Sequence, residues 1–180
     1  PLAPQVAQAL SVPVAQDIRV QVLATRFIED GDTYAHTTLG PPSKIVLGAL
    51  CVGDRDLLRM ALAHELAHLH MRGPKWHRLP YVLEEGIAQV IALEFQGNWQ
   101  IDPSPERIDA SQSAWMFALT IQEASELPKD EYAILGRAAR GIVEQIGLSR
   151  LLAMVEADRM SVEDILDALD RQEAVQATGG

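Results

Sequence analysis

The sequence predicts an α+β fold: a small, mostly N-terminal β-sheet followed by a helical part. Three observations carry the prediction. Short β-branched or alternating segments cluster within residues 17–52, turn signals separate them, and from residue 53 the apolar spacing becomes that of helices.

The chain of 180 residues suits one domain, expected over 1–180. Its parts would be an arm (1–16), a sheet (17–52), a pair of helices (53–97) and a helical C-terminal part (98–180). A hydrophobic share of 48% argues against disorder. The net charge of −10 repels phosphate backbones and argues against nucleic acid as a partner. The single cysteine, Cys51, excludes an internal disulfide and reads as a small buried hydrophobe. No apolar run reaches the ~18 residues of a spanning helix. The numbering starts at Pro1 rather than Met, which raises the expectation of an exported protein whose targeting segment has been removed.

Taken in order, PLAPQVAQALSVP is a short helix or an ordered arm. In DIRVQVLAT (17–25), Ile18, Val20 and Val22 alternate with polar neighbours, which is strand spacing. Residues 29–32, EDGD, form a turn signal, TYAHTTL (33–39) a second strand, and GPP (40–42) a breaker. SKIVLGALCV (43–52), apolar and β-branched, reads as a third strand. Asp54 is placed to cap a helix over 55–71, which Gly73-Pro74 would stop. Pro80 suits the first turn of a helix reaching about Gly97. Further helical patterns follow near 110–126, 130–146, 149–158 and 161–174, with Ser149 and Ser161 as N-caps and Ser161/Asp164 as a capping box.

The chemistry concentrates in His64-Glu65-Leu66-Ala67-His68. On a helix, positions i and i+4 share a face about 6 Å apart. Two imidazoles there can reach one zinc ion, whose nitrogen ligands sit near 2.0–2.1 Å. Zinc lowers the pKa of a bound water to about 7, and Glu65, one step round from His64, is placed to take that water's proton. Catalytic zinc usually has three protein ligands, and the residues alone leave the third open among His70, His77, Glu84 and Glu85. His70 is turned roughly 200° from His68 and is expected at the surface or behind the ligands.

These residues, with Leu83-Glu84-Glu85-Gly86-Ile87-Ala88, resemble the gluzincin metallopeptidases of the peptidase-MA-like kind. In that family HExxH is followed on a second helix by a Glu in a pattern like L-x-E-G-x-A. The resemblance implies a zincin-like fold and Zn2+ held by His64, His68 and Glu85. It implies peptide or protein substrates, Glu65 as general base, and Glu84 as an exposed neighbour. It also maps an oxyanion-stabilising tyrosine onto Tyr132, in EYAILGRAARGIVEQIG, and a substrate-pairing edge strand onto residues 43–49. Two departures matter. The Gly-x-Met-Glu-Asn stretch with which the aminopeptidase branch grips a free amino group is missing, so aminopeptidase activity is not implied. Where some members carry a carboxylate one turn after the third ligand, this chain has Gln89. Arg137 and Arg140 read as solvated, and Trp115 and Met116 as core.

The expected function is a zinc-dependent peptidase. The alternative is a catalytically inactive zinc-binding domain of the same kind with a structural or partner-binding role. A metal-free helical core decorated with His and Glu is the third reading.

Overall fold

The computed structural model describes residues 1–24, 35–38, 42–71, 76, 79–95, 97, 116, 117, 123 and 129–178; the side chains of 129–134 and 173–178 lie outside that description. Among the described residues the fold is α+β, with one three-stranded sheet and seven helices. Two compact units are formed, one by residues 1–72 and 91–103, the other by 73–90 and 104–180.

The first unit opens with helix α1 (Leu2–Ala9), which buries Val6 and Ala7. Strands β1 (Arg19–Val22), β2 (Ala35–Thr38) and β3 (Lys44–Leu47) form a sheet in the order β1-β3-β2. β3 runs parallel to β1 and antiparallel to β2. The three expected strands therefore exist, with two differences. β1 is exposed along its whole length, including Val20 and Val22, so its alternating apolar residues do not mark a buried face. β3 is the central strand, hydrogen-bonded on both sides, so it cannot be the edge that receives an extended peptide. An apolar run such as KIVL is what a strand with two neighbours requires, because both its faces and both its edges are covered.

The strand predicted over 43–52 ends early. After Gly48 the chain turns into helix α2 (Ala49–Gly53), which buries Cys51. Helix α3 (Arg55–His70) follows at once. The Asp54 carboxylate accepts from the backbone N–H of Asp56 at 2.9 Å and of Leu57 at 3.0 Å, satisfying two of the donors a helix start leaves free. Asp56 adds negative charge near the positive end of the helix dipole. α3 packs against α1, α2, β2 and β3, so it is covered from several sides and buries every residue from Glu65 to His70. Gly73-Pro74, the expected stop signal, lies outside the described residues.

In the second unit, helix α4 (Tyr81–Leu93), whose last turn is counted with the first, meets helix α5 (Lys129–Ile146) at very close range. A Cβ on Gly86 would collide with the Ala139 carbonyl, and one on Gly136 with the Gln89 amide. The pairs 86/139 and 89/136 fix an antiparallel crossing. α5 turns a stripe of Leu135, Ala138, Ala139, Ile142, Val143 and Ile146 inward, at spacings of three and four. Helices α6 (Leu148–Glu156) and α7 (Val162–Thr178) pack against α5.

Ser149 is not the cap of α6. Gly147, with φ of +86°, ends α5 and starts α6, so Ser149 falls inside the helix. Ser161 does cap α7: its hydroxyl accepts from the Asp164 N–H at 3.1 Å and donates to the Asp164 carboxylate at 2.9 Å. Most of the helix expected near 110–126 lies outside the described residues, but Met116 is buried as anticipated.

Candidate metal centre

His64 and His68 stand one turn apart on α3, and the position of that helix follows from its cap and from the elements packed against it. His64 is half-buried and His68 buried. Their Nε2 atoms are 3.1 Å apart, and the rings meet edge to face at 72°. Two neutral imidazoles can face each other this way by sharing one proton between the nitrogens, or by turning both lone pairs to one cation. Two nitrogen ligands of a tetrahedral zinc, each at about 2.0–2.1 Å, would be about 3.3 Å apart. The observed spacing fits that arrangement.

Glu65, the next residue on α3, is buried. Its Oε2 accepts a hydrogen bond from the Thr37 hydroxyl on β2 at 2.7 Å. The same hydroxyl lies 3.2 Å from the Glu65 backbone carbonyl. Nothing in the sequence pairs Thr37 with Glu65; the contact comes from the antiparallel return of β2 beside β3, 28 positions before the helix residue.

Glu85 is buried on α4 and Glu84 is half-buried, not exposed as expected of it. One carboxylate oxygen of Glu85 and one ring nitrogen each of His64 and His68 lie within 4.8 Å of one another, a group that could hold a metal ion. A donor set of two imidazoles and one carboxylate suits zinc and also other first-row divalent metals. His77 lies outside the described residues. Tyr132 belongs to α5 by its backbone, and its side chain lies outside the description.

His70 differs from its expected place. It is 5% exposed, turned inward rather than to the surface. Its Nδ1 donates to the Leu66 carbonyl at 2.6 Å and its Nε2 accepts from the Ala15 N–H at 3.1 Å. That pairing requires the neutral ring with hydrogen on Nδ1, and it ties the segment after α1 to the end of α3. Arg140 is also buried, against the solvated position expected; its Nε lies 3.3 Å from the Glu144 carboxylate, one turn on. The Gln89 amide lies over Gly136. Burial pushes the Cys51 thiol above its ordinary pKa, and the nearby negative charge of Glu65 pushes it the same way.

No protein-family model, no curated protein and no solved structure matches this chain.

Proposed function

We propose that this chain is a zinc-dependent peptidase of gluzincin type, with His64, His68 and Glu85 as metal ligands and Glu65 as general base. The observation that carries the reading is the His64/His68 pair at zinc-ligand spacing, with Glu65 buried beside it on the same helix. Glu85 supplies the carboxylate of the donor set. Bound there, zinc would supply Lewis acidity to a water molecule and to the substrate carbonyl.

The residues of the chain do the rest. As the water oxygen bonds to the peptide carbonyl carbon, Glu65 accepts the water proton. When the C–N bond breaks, Glu65 passes that proton to the leaving amine. Tyr132 is proposed to donate its hydroxyl to the carbonyl oxygen as negative charge develops there; a phenol with pKa near 10 keeps its proton at neutral pH.

Glu65→Gln tests the reading. The amide keeps size and hydrogen-bonding capacity but cannot take the proton. The variant should retain its metal and lose on the order of a hundredfold or more in turnover. Unchanged turnover would remove Glu65 from the chemistry.

The burial of Glu65, His68 and Glu85 favours a second reading, a catalytically inactive metal-binding domain with a structural or partner-binding role. Zinc-loaded wild-type protein inert on diverse peptide libraries would select it.

A further inference from the structure

Any general base that must meet a water at one position needs its carboxylate held in one rotation. The terminal torsion of glutamate is broad, so packing alone does not fix which oxygen faces where. Here one oxygen has a fixed partner. Oε2 of Glu65 is 2.7 Å from Thr37 Oγ, a short hydrogen bond to a charged acceptor.

Thr37 is itself held. It sits on β2 opposite Ile45 of β3, and Ala35, two residues before it on the same strand face, packs against the cluster of Cys51, Leu57 and Ala61. That face of β2 is thereby pinned to α2 and α3, and the hydroxyl is carried on a strand rather than a loop. The β-branched side chain further restricts χ1.

We propose that Thr37 is a positioning residue for Glu65: by occupying Oε2 it fixes the carboxylate rotation and leaves Oε1 as the atom that receives the proton. The second acceptor near the hydroxyl, the Glu65 carbonyl at 3.2 Å, completes the arrangement. A hydroxyl has one hydrogen to give and lone pairs to accept with. Of the two acceptors, Oε2 is the nearer and takes the hydrogen.

The catalytic half of this inference rests on the peptidase reading above, and the geometric half does not. Crystal structures of wild type, Thr37→Val and Thr37→Ser test the geometric half without any turnover. Valine matches threonine in shape and removes the hydroxyl; serine restores it. The Glu65 carboxylate should hold one orientation in wild type and in Thr37→Ser, and should rotate or split between orientations in Thr37→Val. An unmoved carboxylate in Thr37→Val overturns the proposal.

Peptide hydrolysis tests the other half. Thr37→Val should lose on the order of tenfold to a hundredfold in kcat with little change in KM and full metal content, and Thr37→Ser should recover most of the loss. Equal kcat in Thr37→Val and wild type overturns the positioning role while leaving the peptidase reading intact. A wild type inert on peptides, with the carboxylate still released in Thr37→Val, overturns the catalytic role together with the peptidase reading and leaves Thr37 a structural tether.

Discussion

Replacing Gly86 with alanine is predicted to destabilise the protein, although alanine is the better helix former. In a helix interior the change gains up to about 1 kcal/mol in propensity. The crossing of α4 and α5 opposes it. A Cβ at Gly86 would sit 2.6 Å from the carbonyl carbon of Ala139, closer still to its oxygen, and 3.0 Å from Val143 Cγ2. Carbon atoms in good contact are about 3.5–4.0 Å apart, so the two helix backbones must separate by about 1 Å. Backbone atoms on a buried helix cannot swing aside as a side-chain tip can. Overpacking of this kind costs about 1–3 kcal/mol, and the upper half of that range is expected here. The net loss is then about 1–2 kcal/mol, read as a fall of roughly 0.5–1 M in the urea midpoint followed by circular dichroism. Gly53→Ala is the internal control. A Cβ at Gly53 would meet nothing within 4 Å, and its φ is ordinary, so the same chemical change should leave the midpoint unchanged or raise it. A Gly86→Ala protein as stable as wild type would refute the argument that this glycine exists to let α5 approach.

Two further outcomes follow from single groups. Hydrogen bonds from Arg159 and then Ser161 hold the Asp164 carboxyl below its ordinary value of 3.8. Its contribution to the start of α7 is complete above pH 3.8 and is lost as pH falls through the lower folded value, so Arg159→Ala should move the Asp164 titration upward in carboxyl-detected NMR. Cys51, raised by burial and by Glu65, should stay a thiol near pH 8 and react with a disulfide reagent far more slowly than free cysteine until denaturant is added. Its raised value also means that stability associated with the neutral thiol is lost as pH rises through the folded pKa. Rapid reaction of the folded protein would contradict the burial of Cys51.

The parts of the fold that were legible in the sequence are those fixed by local chemistry. Asp54 marks the start of α3 because a carboxylate there can cap the helix, and Ser161 marks α7 for the same reason. The apolar spacing of α5 gives its buried stripe directly. Where the reading failed, non-local packing decided. VLGALCV is apolar throughout, and periodicity alone does not separate a buried strand from a buried helical turn, so α2 was hidden within the third strand. His70 does turn away from His68, but α1 and the segment after it cover that side of α3, so the side chain is buried. β3 became the central strand because β1 and β2 both pair with it, an order that no strand's own sequence records.

The candidate site shows the same division. The spacing of His64 and His68 follows from helical geometry and was readable. The choice of Glu85 needed a resemblance, because Glu84 and Glu85 are alike in composition and differ only in the direction they face. Thr37 was not readable at all: a threonine in a strand carries no mark of the carboxylate it will meet. Gly86 was readable as part of a motif, whereas its physical reason, the Ala139 carbonyl, lies more than fifty positions away.

Metal content, measured by elemental analysis on purified wild type beside His64→Ala, His68→Ala and Glu85→Ala, tests the central claim most directly. The account predicts one zinc per wild-type chain and its loss in each of the three variants. A wild type that takes up no metal even after incubation with zinc, or a Glu85→Ala protein that keeps a full equivalent, would contradict it.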